Sequence, residues 1–183
     1  MEQLKELKEL NTWLKTSLTV LSAKITTELT QILNGTAITM LPGYEKGDIA
    51  AFNFEYSSDW LSVVFFGSNA RGLTITEDIS FLKKELNEYF LKEKEVMDEV
   101  EEMEDNLEGD TEEWEEMMEE YNEEKSSIYD NWFGACWEEA QKQTQNTTPT
   151  YFSDNKSDLG IELRSNDIVE INKNQSIIRY YTH

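Results

Sequence analysis

Histidine and cysteine are almost missing from this chain of 183 residues: Cys136 is its single cysteine and His183 its single histidine. An internal disulfide is thereby excluded, and a structural zinc site lacks thiolate and imidazole ligands. Ser-His and Cys-His nucleophilic schemes are closed as well, because no histidine lies inside the chain. No apolar run approaches the ~18 residues of a membrane span and no basic-then-apolar leader opens the sequence, so a soluble, cytoplasmic protein is expected.

Positive charge is scarce in one stretch above all. From Glu93 to Glu124 there are 18 acidic residues and one basic residue, Lys94, a net charge of −17, whereas the other 151 positions sum to −5. Direct binding to nucleic-acid phosphates is disfavoured by such a field, since that affinity comes from lysine and arginine displacing counterions. A basic protein partner would be attracted.

With 38% apolar and 11% aromatic residues the chain has enough to bury a core without staples. Leu7, Leu10, Leu14, Leu18, Leu21, Ile25, Leu29 and Ile32 recur at helical spacing, predicting one amphipathic helix from Gln3 to Leu33 that Asn34-Gly35 stops. The period then changes to two. Ala51 to Tyr56 and Trp60 to Phe66 predict a hairpin, with shorter strands at 36–40 and 73–76. Late strands are expected at 150–152, 160–164, 168–171 and 176–181, and the sheet is expected to be antiparallel because no crossover helix separates the early strands.

Between the two strand groups, Asp78 is a helix start beside the capping-box pair Thr74 and Glu77. Leu82, Leu86, Tyr89, Val96, Val100, Met103 and Leu107 follow as a coiled-coil seam with one gap, at Glu93. Gly109 breaks the seam, which resumes as Trp114, Met118, Tyr121, Ile128 and Trp132 with one gap, at Lys125. Both gaps lie 16 residues from Gly109, so an antiparallel hairpin sets Glu93 opposite Lys125 and predicts that they pair. Off the seam, the root is apolar (Ile79, Phe81, Phe90, Leu91, Tyr129, Phe133, Cys136, Trp137) and must be covered by the sheet or the first helix. The tip is acidic, and an exposed arm from Glu93 to the turn would be roughly 24 Å long.

Other patterns carry less. Glu104 to Glu115 has EF-hand spacing around Gly109, but Glu stands at the first ligand position and Thr111 where an apolar residue should pack. Gly67 to Gly72 has the glycine spacing of a phosphate loop, yet Leu73-Thr74 stands where Lys and Ser or Thr are required, so Ser68, Asn69 and Arg71 read as hairpin-loop residues. Asn146-Thr147-Thr148 fits a glycosylation pattern and reads as a loop. Trp132, Phe133, Trp137, Tyr151 and Phe152 form the densest aromatic group, read first as core and second as an interface.

The expected fold is α+β: an amphipathic N-terminal helix, an antiparallel sheet, a long inserted acidic antiparallel αα-hairpin of coiled-coil type, and C-terminal short strands. Residues 1–183 are expected to form one domain, with 78–140 the inserted hairpin and 93–124 its protruding tip. The expected function is binding, with no catalytic residue, metal or cofactor. An inhibitor or immunity-type protein would neutralise a basic target, such as a nuclease toxin or a nucleic-acid-binding enzyme, by nucleic-acid mimicry. Bacterial immunity proteins and phage-encoded DNA mimics share this compositional character, an analogy of class without a diagnostic motif. The binding residues would be Glu95, Asp98, Glu101, Glu102, Asp105, Glu112, Glu116, Glu119 and Glu120. A coiled-coil scaffold dimerising through Val100 and Met118 is the alternative. An enzyme ranks third and would require a pocket near Arg71 or Tyr151.

Overall fold

The computed structural model describes residues 2–57, 61–82, 84–104, 112–174 and 177–182. In chain order the elements are α1 (Glu2–Leu33), β1 (Ala51–Tyr56), β2 (Val63–Ser68), β3 (Ile79–Phe81), α2 (Asn87–Glu104), α3 (Glu112–Lys142), β4 (Thr150–Asp154), β5 (Leu159–Glu162), β6 (Asp167–Asn174) and β7 (Ile177–Thr182). Two compact units result, one of Met1–Ala23 with Glu85–Phe133 and one of Lys24–Lys84 with Gly134–His183. Among the described residues no helix is long and apolar enough to cross a membrane.

The first helix ends where its sequence says it should. Gly35 takes φ +70, a conformation that glycine adopts without a Cβ clash. Its N–H then bonds the Ile32 carbonyl at 2.8 Å, while Thr36 N–H reaches the Gln31 carbonyl at 2.9 Å. These are the two bonds of a Schellman stop.

Among the described residues the sheet unit holds seven strands in the order β3-β2-β1-β4-β5-β6-β7. Its aromatic side chains meet across neighbouring strands: Phe54 lies 5.2 Å from Phe65 and 6.3 Å from Phe81, and Tyr56 stacks on Phe152 at 5.0 Å, measured between ring centres. Phe54, Phe65 and Phe152 are buried, which stabilises by about 1.5–3 kcal/mol for each ring of this size. In the same unit Ile25, Leu29, Cys136, Trp137 and Ala140 are buried too, so Cys136 is a small core residue. Asn146 ties the end of α1 to the approach of β4. Its side-chain amide donates to the Leu33 carbonyl at 2.7 Å, and its own carbonyl accepts from Gln141 and Arg164. The glycosylation pattern is thus a loop joint.

The expectation of an antiparallel sheet is corrected by the pairing of β1 with β4, which is parallel from Phe52↔Thr150 to Tyr56↔Asp154. All other pairs are antiparallel. A parallel pair needs a long crossover, and the chain from β1 to β4 contains one in α2 and α3. Within the early strands no such crossover exists; between the early and late groups it does.

The expected helix start at Asp78 is also corrected. Ile79, Ser80 and Phe81 form β3, pairing with Phe65, Val64 and Val63, and the helix begins only at Asn87. Leu82, expected on the seam, sits at φ 72 in the bend between them. Strand pairing satisfies three residues' backbone groups and buries Phe81, and this outweighs a helical propensity of a few tenths of a kcal/mol per residue. The second hairpin strand is shifted as well, to Val63–Ser68. The expected strands at 36–40 and 73–76 reduce to the bridges Met40↔Thr76 and Ser68↔Thr74. In the loop at Asn69 the side-chain oxygen accepts the N–H groups of Arg71 and Leu73, an ordinary side-chain-braced turn.

The third correction concerns the hairpin. It is not a two-helix coiled coil, because the first 22 or so residues of α1 belong to the same unit as α2 and the first part of α3. Trp13 of α1 meets Tyr89 of α2 edge-on at 6.0 Å, and Trp132 Nε1 of α3 donates to Ser22 Oγ of α1 at 2.9 Å. Leu7, Leu10, Leu14 and Leu18 are all buried there. A helix whose apolar stripe runs its whole length must be covered along that length. In this three-helix unit α1 and α3 run parallel, Asn11 lying at Tyr121 and Ser22 at Trp132, and α2 runs against both.

Candidate binding surface

A polar layer crosses the middle of the three-helix unit. Lys125 Nζ is 2.5 Å from Glu93 Oε1, as the symmetric gaps in the seam predicted, and the two residues are only 9% and 8% exposed. The same carboxylate oxygen accepts the Tyr121 hydroxyl at 2.6 Å and lies 3.3 Å from the Tyr89 hydroxyl, while the two hydroxyls are 3.1 Å apart. Burial, reinforced by the Glu93 charge, raises the Tyr89 hydroxyl well above its ordinary value. Burial also raises Tyr121, with Tyr89 and Glu93 adding to it. Both phenols therefore stay protonated as donors to Glu93. This layer disfavours helix slippage, because a shift of one residue would leave a buried charge without its partner.

The third helix joins the layer from the side. Asn11 of α1, 2% exposed, donates its amide to the Tyr121 carbonyl at 3.3 Å and to Glu124 Oε2 at 2.7 Å. Sequence reasoning missed Asn11, Tyr89 and Tyr121. The available signal was a polar group set one position off an apolar stripe, and two tyrosines on a seam four residues from its charged gaps.

Outward from this layer α3 presents Glu115, Glu116, Glu119, Glu120, Glu123 and Glu124, all exposed. At 100° per residue they cover about half the helix circumference. The only basic residue from Glu112 to Ile128 of α3 is Lys125, which is buried against Glu93. Glu116, Glu119 and Glu120 of the expected binding set thus share one face. Glu95 and Asp98 are exposed on α2, Glu95 at 3.2 Å from Lys92. Glu101 and Glu102 fall in the last turn of α2 and Glu112 opens α3. Asp105, Gly109 and the EF-hand-like span from 105 to 111 lie outside the described residues. Glu123 and Glu124 extend the face beyond the expected set.

Among the described residues of this unit, α1 is flanked by a groove on each of two sides. One, of about 430 Å³, lies against α2 and is lined by Leu10, Trp13 and Val96 with Glu6, Glu9 and Lys92 at its margin. The other, of about 470 Å³, lies against α3, with Leu18, Ile128 and Trp132 as its apolar lining. Neither includes Arg71 or Tyr151. Burial and the neighbouring Glu162 raise Tyr151 above its ordinary value, which leaves its hydroxyl a donor. Among the described residues no group of three or more His, Cys, Asp or Glu side chains is placed to hold a metal ion. Compared with known proteins, the chain matches no family model, no curated sequence and no solved structure.

Proposed function

We propose that this chain is a non-enzymatic, cytoplasmic binding protein whose helical unit captures a basic protein, in the manner of an inhibitor or immunity protein acting on a nuclease or another nucleic-acid-binding enzyme. The observation that carries the reading is the row of exposed carboxylates on α3 from Glu115 to Glu124, with the one cation on that stretch of α3, Lys125, turned inward. Carboxylates repeated along a stiff helix offer a basic cleft the same regular negative charge that it takes from a phosphate backbone. Like charges four residues apart destabilise a helix by a few tenths of a kcal/mol each, so the row is retained against a standing cost. The scaffold alternative finds less support. Of the two seam residues on which a coiled-coil dimer would draw, Val100 is already covered within one chain and Met118 is half-buried.

Capture from lysate at low salt tests the reading, using the native protein beside Glu116→Gln/Glu119→Gln/Glu120→Gln/Glu123→Gln. A basic nucleic-acid enzyme retained by the native protein, released between about 0.05 and 0.5 M salt as screening sets in, and absent from the variant is the expected result. Equal retention by both would sink it.

A further inference from the structure

The carboxylate row does not end on open surface. At 100° per residue Glu116, Glu120, Glu123, Glu124, Ser127 and Asn131 fall within about 100° of arc on α3. They form one strip, acidic in its first half and neutral in its second. The neutral half borders the groove between α3 and α1, whose lining includes Leu18, Ile128 and Trp132. Glu124 stands where the halves meet, held by the buried Asn11 amide at 2.7 Å. Across from Ser127 and Asn131 the α1 wall contributes Thr19 and one cation, Lys15.

From this juxtaposition we infer that the α1–α3 groove is a docking site for a cationic amphipathic helix of a partner protein. Two turns of that helix set lysines or arginines against Glu116, Glu120 and Glu123, and the following two turns set an apolar side chain into the groove over Ile128 and Trp132. The inference rests on the proposed binding function and adds the shape of what is bound. The strip spans 16 residues, about 24 Å, so the partner helix needs roughly four turns. Charge selects this occupant. A second copy of the chain would bring a net charge of −22 against its own, and anionic phosphates of lipid or nucleic acid would be repelled in the same way. A buried anchor beside a charged rim also matches how affinity and specificity divide at protein interfaces.

Three synthetic 18-residue helical peptides test it on the full chain, with binding read by anisotropy of a labelled peptide at low salt. The first carries four lysines in its first two turns and leucine and phenylalanine in its last two. The second keeps the lysines and replaces the apolar residues by glutamine, and the third keeps the apolar residues and replaces the lysines by glutamine. The first peptide should bind at least tenfold more tightly than either of the others. Filling the groove with Ser127→Trp, or with Thr19→Arg from the α1 wall, should bring the first peptide down to the affinity of the second. Both substitutions are at the groove margin, and circular dichroism checks that the helices persist. Equal binding of the first and second peptides, unaffected by either variant, overturns the groove while the acidic reading stands. If neither the first nor the second peptide binds, the acidic reading falls too. Binding of the third as tight as the first overturns the cationic partner. A dimer seen by sedimentation that Ser127→Trp abolishes would assign the groove to a second copy and overturn the inference.

Discussion

Replacing Lys125 by Met is the sharpest probe of the three-helix unit. Methionine keeps most of the volume but leaves the Glu93 carboxylate, 8% exposed, with only the tyrosine hydroxyls of its neighbours as compensation. Breaking one side of a buried ion pair costs about 3–5 kcal/mol, and that is the expected loss for Lys125→Met. Removing both charges with Glu93→Leu/Lys125→Met has a different outcome. Apolar replacement of a buried pair gains about 1–4 kcal/mol, offset by about 1–3 kcal/mol because the two hydroxyls can satisfy each other but leave one hydrogen unpartnered. The double variant should therefore lie between about 2 kcal/mol below and about 3 kcal/mol above the native protein, and above the single variant. A chain of two compact units need not unfold in one step. The assay is accordingly native-state hydrogen exchange of the amides in 89–100 and 118–129, which reports the opening energy of this unit alone. A loss below about 1 kcal/mol for Lys125→Met, the range of an exposed pair, would refute the reasoning.

Two further outcomes are expected. Tyr89 and Tyr121 are raised in the folded chain, so the stability tied to their protonated forms is complete below the unfolded value of about 10 and declines as pH rises above it, by up to ~1.4 kcal/mol per pH unit for each. Denaturant unfolding between pH 9 and 11 should show that decline, and Tyr89→Phe/Tyr121→Phe should flatten it; an unchanged slope counts against the buried layer. In the sheet unit, a Cβ at Gly160 would lie 2.4 Å from Ile171 Cδ1 and 3.0 Å from the Phe152 carbonyl oxygen. Because Ile171 is buried, Gly160→Ala should destabilise by about 1–3 kcal/mol, read by thermal unfolding, with partial recovery on adding Ile171→Val.

By itself the sequence determined what depends on near neighbours and on equal contour lengths. The stop at Asn34-Gly35, the span of β1, the four late strands and the pairing of Glu93 with Lys125 all follow from spacing. Two helices leaving one turn must match residues at equal distances from it, so symmetric gaps in the seam name their partner. The acidity of 93–124 was equally legible, as composition. Tertiary structure decided everything that joins segments distant along the chain. Nothing local distinguishes Ile79-Ser80-Phe81 in a helix from the same residues on a sheet edge; only the free edge of β2 does. The parallel β1–β4 pair depends on where two helices return the chain, a property of the crossover and not of either strand. The place of α1 beside α2 and α3 likewise came from burial over long range. Its leucine stripe announced a need for cover without saying which surface supplies it, and only the folded chain sets Asn11 against Glu124 and opens the groove over Trp132.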